Sequence, residues 1–182
     1  VTVGEVVVTV VTDDAGAALA DQILATAQQV PLDHNGCPTS GPPATTEVDL
    51  AGYAGFPIVV CAYDTNPSAW PGLRSSSRLE GEAASLAWDA IFAAPGGGGP
   101  DWSEAECGTL PADPDTVLLV EGTAVRFQFS GCTGNGLADA GVTRGLRHVT
   151  EDLCSTLLVP PFWMNSSSGP AAHRCLAALA ER

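Results

Sequence analysis

The sequence predicts an α+β fold, with helices packed on a mostly antiparallel sheet of about five strands in the order β-αββ-αββ-α-α. Three observations carry that expectation. Short β-branched runs alternate with segments whose apolar residues recur at helical spacing. Six cysteines stand at spacings that suit disulfides rather than metal. Two stretches also share one order, helix, Pro, Cys, strand, strand, Cys, which reads as a divergent αββ duplication over 13–63 and 79–132.

The elements follow in order. Glu5–Thr12 (EVVVTVVT) is rich in β-branched residues and reads as the first strand. Asp13 or Asp14 can cap the helix behind it, whose stripe is Leu19, Ile23, Ala27 and Val30 and which Pro31 ends. Residues 35–45 hold NG, CP, SG and PP, which is loop chemistry. Strands are expected at Thr46–Leu50 and Pro57–Tyr63, then a loop over 64–79. A second helix spans Glu80–Ala94, with Ala83, Leu86, Ala87, Ala90, Ile91 and Ala94 on one face and Glu80 and Glu82 near its positive end. PGGGGP at 95–100 is a flexible connection. TVLLVEGTAVRFQFSG reads as a hairpin turning at Glu121–Gly122, with Val125, Phe127 and Phe129 on one side. A Gly-rich stretch runs to Gly145. A C-terminal helical pair then occupies 149–181, over Thr150–Leu158 and from Pro170 to about Ala180.

The chain has 182 residues, which suit one domain over 1–182, and 45% of them are hydrophobic, enough to form a core. Because 27 are Ala, that core is thin for its size. No run reaches the ~18 apolar residues of a transmembrane segment. The net charge of −14 excludes nucleic acid as a partner, since phosphate binding needs a basic footprint. There are seven Arg and no Lys, so the Walker A motif, the pyridoxal Schiff base and Ser–Lys catalytic pairs are all excluded. Abundant Ala, Gly, Pro and Arg beside scarce Lys, Ile and Asn point to GC-rich codons and so to a high-GC bacterium.

The cysteines are Cys37, Cys61, Cys107, Cys132, Cys154 and Cys175. None forms a CxxC pair, and none has zinc spacing to a histidine. An even set without metal spacing implies disulfides and an oxidising, extracytoplasmic compartment. The parity of the two halves predicts Cys37–Cys61 and Cys107–Cys132, leaving Cys154–Cys175. Each bridge closes a loop of roughly 20–25 residues, worth about 3 kcal/mol in the chain-entropy account.

VTVVTDD at 8–14, a short helix, Val30-Pro31 and a Cys, then VVCAYD at 59–64 and FQFSGC at 127–132, resemble a pattern in uncharacterised secreted proteins and lipoproteins of actinobacteria. The resemblance covers roughly residues 5–158. It implies an extracytoplasmic α+β domain, secreted or anchored at the cell surface, and carries over no functional residue.

Candidate chemistry is sparse. His34, His148 and His173 are the only histidines, and a three-histidine zinc site would need all of them. His148 and Asp152 are spaced to share a helix face. Asp33-His34-Asn35-Gly36 looks like part of a calcium loop, but the EF-hand register would put Pro31 and Pro42 at ligand positions, so it reads as a turn beside a disulfide. Asp113-Pro-Asp115 is another turn. The Gly-rich Ser130–Gly141 lacks phosphate-binding spacing, and there is no GxSxG or HExxH. A dispersed triad or a carboxylate pair is recognised by geometry, not by sequence. Arg74, Arg78, Arg144 and Arg147 gather at the entries to two helices, either paired with Glu80, Glu82, Glu151 and Asp152 or forming a patch for an anionic partner. Phe162, Trp163 and Trp70 are apolar loop residues able to anchor an interface. Asn165-Ser-Ser has the form of a glycosylation sequon.

No cofactor and no metal are expected. The leading expectation is a non-catalytic extracytoplasmic binding or sensor domain for a protein or cell-envelope component. Its contact surface would include Trp70, Phe162 and Trp163, with Arg144 and Arg147. The alternatives are a small secreted hydrolase using Ser/His or paired carboxylates, and a secreted protease inhibitor presenting loop 31–45.

Overall fold

The computed structural model describes residues 2–3, 6–7, 10, 12, 16–28, 30–64, 72–97, 116–129, 135–160, 162, 175 and 177. They fall into two compact units, Val1–Pro31 and Leu32–Arg182. In the first, β1 (Thr2–Val3) pairs antiparallel with β2 (Val6–Val7), Thr2 lying opposite Val7. Of the strand expected over Glu5–Thr12, the described part is Val6–Val7, which belongs to this ribbon and not to the main sheet. Val6 and Val7 pair with the residues just ahead of them, where loop closure costs least. Helix α1 covers Ala17–Ala25, shorter than the expected 17–30, because Thr26 bonds the Ile23 carbonyl through both its amide and its hydroxyl. Of its expected stripe, Leu19 and Ile23 are exposed, and Ala20 is the buried residue.

The second unit holds a six-stranded antiparallel sheet. Its strands are β3 (Ile58–Asp64), β4 (Gly72–Leu79), β5 (Thr116–Val120), β6 (Thr123–Gln128), β7 (Gly136–Ala138) and β8 (Leu146–Arg147). They lie in the order β4-β3-β5-β6-β7-β8. The helices are α2 (Gly81–Ala93) and α3 (Glu151–Leu157). The expected α+β class stands, with one more strand in the sheet than anticipated.

The strand period of two sorts the residues between two faces. Ile58, Val60, Leu118, Val120, Val125 and Phe127 point to the face covered by α2 and α3. Val59, Cys61, Tyr63, Val117 and Ala124 form a smaller cluster on the opposite face with Cys37. β3 is buried on both faces, which is why IVVCAY is a continuous apolar run. The hairpin turns at Glu121–Gly122 as expected. Their φ values of +49° and +77° are both left-handed, the requirement of a two-residue type I′ turn.

α2 keeps the predicted bounds within a residue at each end, and Ala87, Ala90, Ile91 and Ala94 of the predicted face are buried, but the face is rotated slightly toward Trp88. Ala84, Ala87, Trp88, Ala90 and Ile91 are buried, whereas Leu86 is 54% exposed. Trp88 sets that rotation, since its Nε1–H donates to the Phe56 carbonyl at 2.8 Å and its ring stacks on Phe92. In α3 the Thr150 hydroxyl accepts from the Leu153 amide as N-cap, and Val149, Leu153 and Leu157 are buried as expected. Since the helix starts at Glu151, His148 lies outside it, and the proposed helical pairing with Asp152 does not form.

Three expectations on strands are corrected. The segment 64–79 contains β4, an edge strand whose RSSSRL sequence has no hydrophobic alternation. The Gly-rich region contains β7, and β8 follows directly after Gly145. Gly136 makes their pairing possible: at φ +133° a Cβ there would stand 2.5 Å from the Arg147 carbonyl oxygen. Thr46–Leu50 is not a strand: it runs along the sheet margin that β7 leaves open, and Leu50 already opens a 3-10 turn over Leu50–Tyr53. The Thr46 amide donates to the Ala124 carbonyl and the Ala140 amide to the Val48 carbonyl, so two different neighbours each take one bond and no ladder develops. The αββ duplication therefore does not describe the strands: its first helix lies in the other unit, and its first strand is absent.

Two of the three predicted disulfides are present, Cys37–Cys61 and Cys154–Cys175. The third pair, Cys107–Cys132, lies outside the described residues. Cys154 in α3 meets Cys175, itself helical, at a Cα separation of 5.0 Å; of the fourth helix only Cys175 and Ala177 are described.

Candidate functional site

Two features of the second unit converge on chemistry, a polar anchor under one loop and a cleft beside it. The loop from Leu32 crosses the face of the sheet opposite the helices. Cys37 is bonded there to Cys61 of β3 and is fully buried. Asp33 locks the turn. One carboxylate oxygen accepts the amides of Asn35 (3.0 Å) and Cys37 (2.8 Å), and the other accepts the Ser76 hydroxyl. The Asn35 side-chain amide donates to the same Ser76 oxygen at 2.7 Å. The DHNG segment is thus the turn beside a disulfide that its sequence predicts, now docked on β4.

Beneath this turn lies Tyr63, fully buried, its hydroxyl without a hydrogen-bond partner among the described residues. Burial, with a lesser contribution from the Asp33 charge, pushes its phenol up to about 12.

A second polar knot closes the far end of the sheet. Asp139 and Arg147 form a salt bridge at 2.6 Å, with side chains 1% and 12% exposed. Asp139 also accepts the amides of Leu50 (3.0 Å) and Gly141 (2.9 Å). Arg147 donates to the carbonyls of Phe92 (3.2 Å) and Ala94 (3.0 Å) at the end of α2, and its guanidinium lies over the Phe92 ring. Burial pushes the Asp139 carboxyl up, but the Leu50 amide, the Arg147 guanidinium and the Gly141 amide outweigh it and hold it below the ordinary range.

The cleft has two lobes. The larger, about 470 Å³, lies between the loop and the β5–β6 hairpin, with Pro38, Pro43, Val48 and Tyr53 against Thr123 and Ala124. The Tyr53 and Thr123 hydroxyls meet at 3.2 Å. The smaller, about 290 Å³, holds Asn35, Pro57, Arg78 and Glu121. Gly36, Leu119 and Gly122 line both lobes.

The residues singled out from the sequence do not gather here. Arg147 points inward and is fully engaged by Asp139 and the α2 carbonyls, so it is a structural residue rather than a partner contact. Arg144 is exposed, at φ +69°. Arg78 pairs with Glu80 as anticipated. Phe162 is half-buried and packs edge-on against Phe129 at 6.2 Å, so its ring serves the core. Trp70, Trp163, His173, Asp113–Asp115 and the Asn165 sequon lie outside the described residues. His34 is 82% exposed, with Nδ1 3.8 Å from Asp33. Ser76 reaches the same carboxylate directly, so the imidazole does not stand between serine and acid as a triad requires. Among the described residues no three His, Cys, Asp or Glu side chains converge as metal ligands, and no helix is long and apolar enough to cross a membrane.

Sequence reasoning missed the cleft and the Asp139–Arg147 pair. A signal for the pair existed, an acid inside an otherwise apolar GLADAG followed by GLR, where an unpaired charge could not be buried. No local signal marks the cleft, whose walls come from residues 35–59, Arg78 and 119–124. The chain matches no known family model, and comparisons with curated proteins and with solved structures give no match.

Proposed function

We propose that this chain is a non-catalytic extracytoplasmic binding domain, secreted or held at the cell surface of a high-GC Gram-positive bacterium, with the two-lobed cleft as its ligand seat. One observation carries the reading. The cleft wall is a loop without regular structure that is nonetheless fixed to the sheet by the Cys37–Cys61 bond, the Asp33–Ser76 contact and the Thr46–Ala124 hydrogen bond. A preorganised wall reduces the ordering cost of binding. The ligand is a component of the cell envelope or a protein found there, and the disulfides suit that compartment.

The test is a titration of the isotopically labelled full chain with soluble peptidoglycan fragments, following backbone amides by NMR. Shifts concentrated at Gly36, Gly122 and Thr123 are expected. Fragments that bind only through the Val1–Pro31 unit, or that move no amide at millimolar concentration, would remove the cleft from consideration.

A further inference from the structure

The chemistry of the two lobes narrows the ligand, an inference that rests on the binding reading above. Among the described residues, the larger lobe carries no charged side chain. Its walls are proline, valine and alanine, and its polar groups are the hydroxyls of Thr46, Tyr53 and Thr123. Tyr53 is its single aromatic ring among the described residues, which offer no facing aromatic platforms on which sugar rings stack. An apolar side chain fits this lining, with backbone amides satisfied by the hydroxyls.

The smaller lobe has a different balance. Arg78 is neutralised by its ion pair with the exposed Glu80. Glu121 stands on the exposed hairpin tip and makes no ion pair among the described residues. The local sum of these three groups is one negative charge, within a chain of net −14. Such a surface repels anions and draws cations toward Glu121. Because both lobes share Gly36, Leu119 and Gly122, one ligand can occupy them end to end if it is extended.

We propose that the joined cleft takes a short extended peptide, with an apolar side chain in the larger lobe and an ammonium or guanidinium group beside Glu121. Its backbone bonds to the Tyr53 and Thr123 hydroxyls. The ligand is therefore neither an acidic peptide nor a polyanionic envelope polymer.

The probes are Ac-Ala-Leu-Pro-Lys-NH2 and its analogues with Gln or Glu in place of Lys, titrated into the labelled full chain. The Lys peptide is expected to shift the amides of Glu121, Gly122 and Thr123 and to bind at least about fivefold more tightly than the Glu peptide, with a preference that shrinks in high salt. Glu121→Gln is expected to weaken the Lys peptide roughly threefold to fivefold and to leave the Gln peptide unchanged. Equal affinity for the Lys and Glu peptides, or a Glu121→Gln variant that still prefers Lys, overturns the ligand class. If peptidoglycan fragments meanwhile shift the cleft amides, the binding reading survives that failure. If neither fragments nor any peptide shift them, both fall.

Discussion

Replacing Tyr63 with Phe is expected to make the protein more stable. The Tyr63 hydroxyl is fully buried on β3 and has no hydrogen-bond partner among the described residues. An unsatisfied buried hydroxyl costs about 1–3 kcal/mol. Tyr63→Phe removes that cost and leaves a void of one oxygen atom, which returns part of the gain through lost contacts. The net expectation at neutral pH is a stabilisation of about 1–2 kcal/mol, or a rise in Tm of about 2–4 °C per kcal/mol. The phenol gives a second handle. Its value is about 12 in the fold against about 10 in the unfolded chain, so the fold favours the neutral form. That contribution is complete below pH 10 and is lost as the pH rises from about 10 to about 12, a change of about 3 kcal/mol. Urea denaturation monitored by tryptophan fluorescence, on both proteins from pH 7 to 11.5, reads both effects. The stability difference is expected to widen in favour of the Phe variant across the alkaline limb. A Phe variant weaker than the parent by 1 kcal/mol or more at pH 7 would show that the hydroxyl has a bonded partner. Parallel alkaline limbs would show that the phenol is not buried as described.

The remaining predictions concern what holds the cleft and the sheet. Arg147→Met leaves the Asp139 charge buried without its partner and frees two carbonyls of α2, so chemical denaturation should register a loss of about 3–5 kcal/mol. Since the folded-state value of Asp139 is depressed, its contribution is present above about pH 4 and lost as the pH falls through that depressed value. Asp139→Asn should lack this acid limb when denaturation is repeated from pH 6 to pH 2. Replacing both Cys37 and Cys61 with Ala should cost about 3 kcal/mol in the same assay, and non-reducing peptide mapping of the parent should recover Cys107–Cys132 beside the two bonds seen here. Gly136→Ala should destabilise by more than about 1 kcal/mol, because the added methyl meets the Arg147 carbonyl; Gly52→Ala, with open space around it, should be neutral or gain about 0.4–1 kcal/mol.

Legibility in the sequence followed how local each constraint was. The β5–β6 hairpin was legible because EG at its turn and alternating Val125, Phe127 and Phe129 say one thing together. α3 was legible through Thr150 and the spacing of Val149, Leu153 and Leu157. α2 was found with Ala87, Ala90, Ile91 and Ala94 buried as expected, but Trp88 rather than Leu86 completes the buried face, because a heavy side chain outweighs a single leucine on a stripe of alanines. β4 was missed because its serines carry no pattern, and the partners of Ser76, Asp33 and Asn35, lie some forty residues away. The reverse error arose at Thr46–Leu50, where TEVDL alternates like a strand but finds only single bonds to two neighbours. The cleft was illegible for the same physical reason as Ser76, since what defines it is the meeting of distant segments.

The position of β3 between β4 and β5 bears on how the chain acquires its structure. Its neighbour β4 begins at Gly72, whereas its other neighbour, β5, begins only at Thr116, and Val60 waits for Leu118. Contacts so far apart in sequence carry a closure entropy that must be met before they return any stability, so this pairing forms more slowly than the β3–β4 pairing. Until then one flank of an apolar strand stands open, and an open apolar flank is a template for association between chains. Cys37, only 24 residues before Cys61, is available to that strand long before β5 is. A bond closed there early lays the Leu32–Val48 loop over one face of β3 during the wait, so the cross-link that steadies the finished cleft also serves as a temporary cover for the half-made sheet.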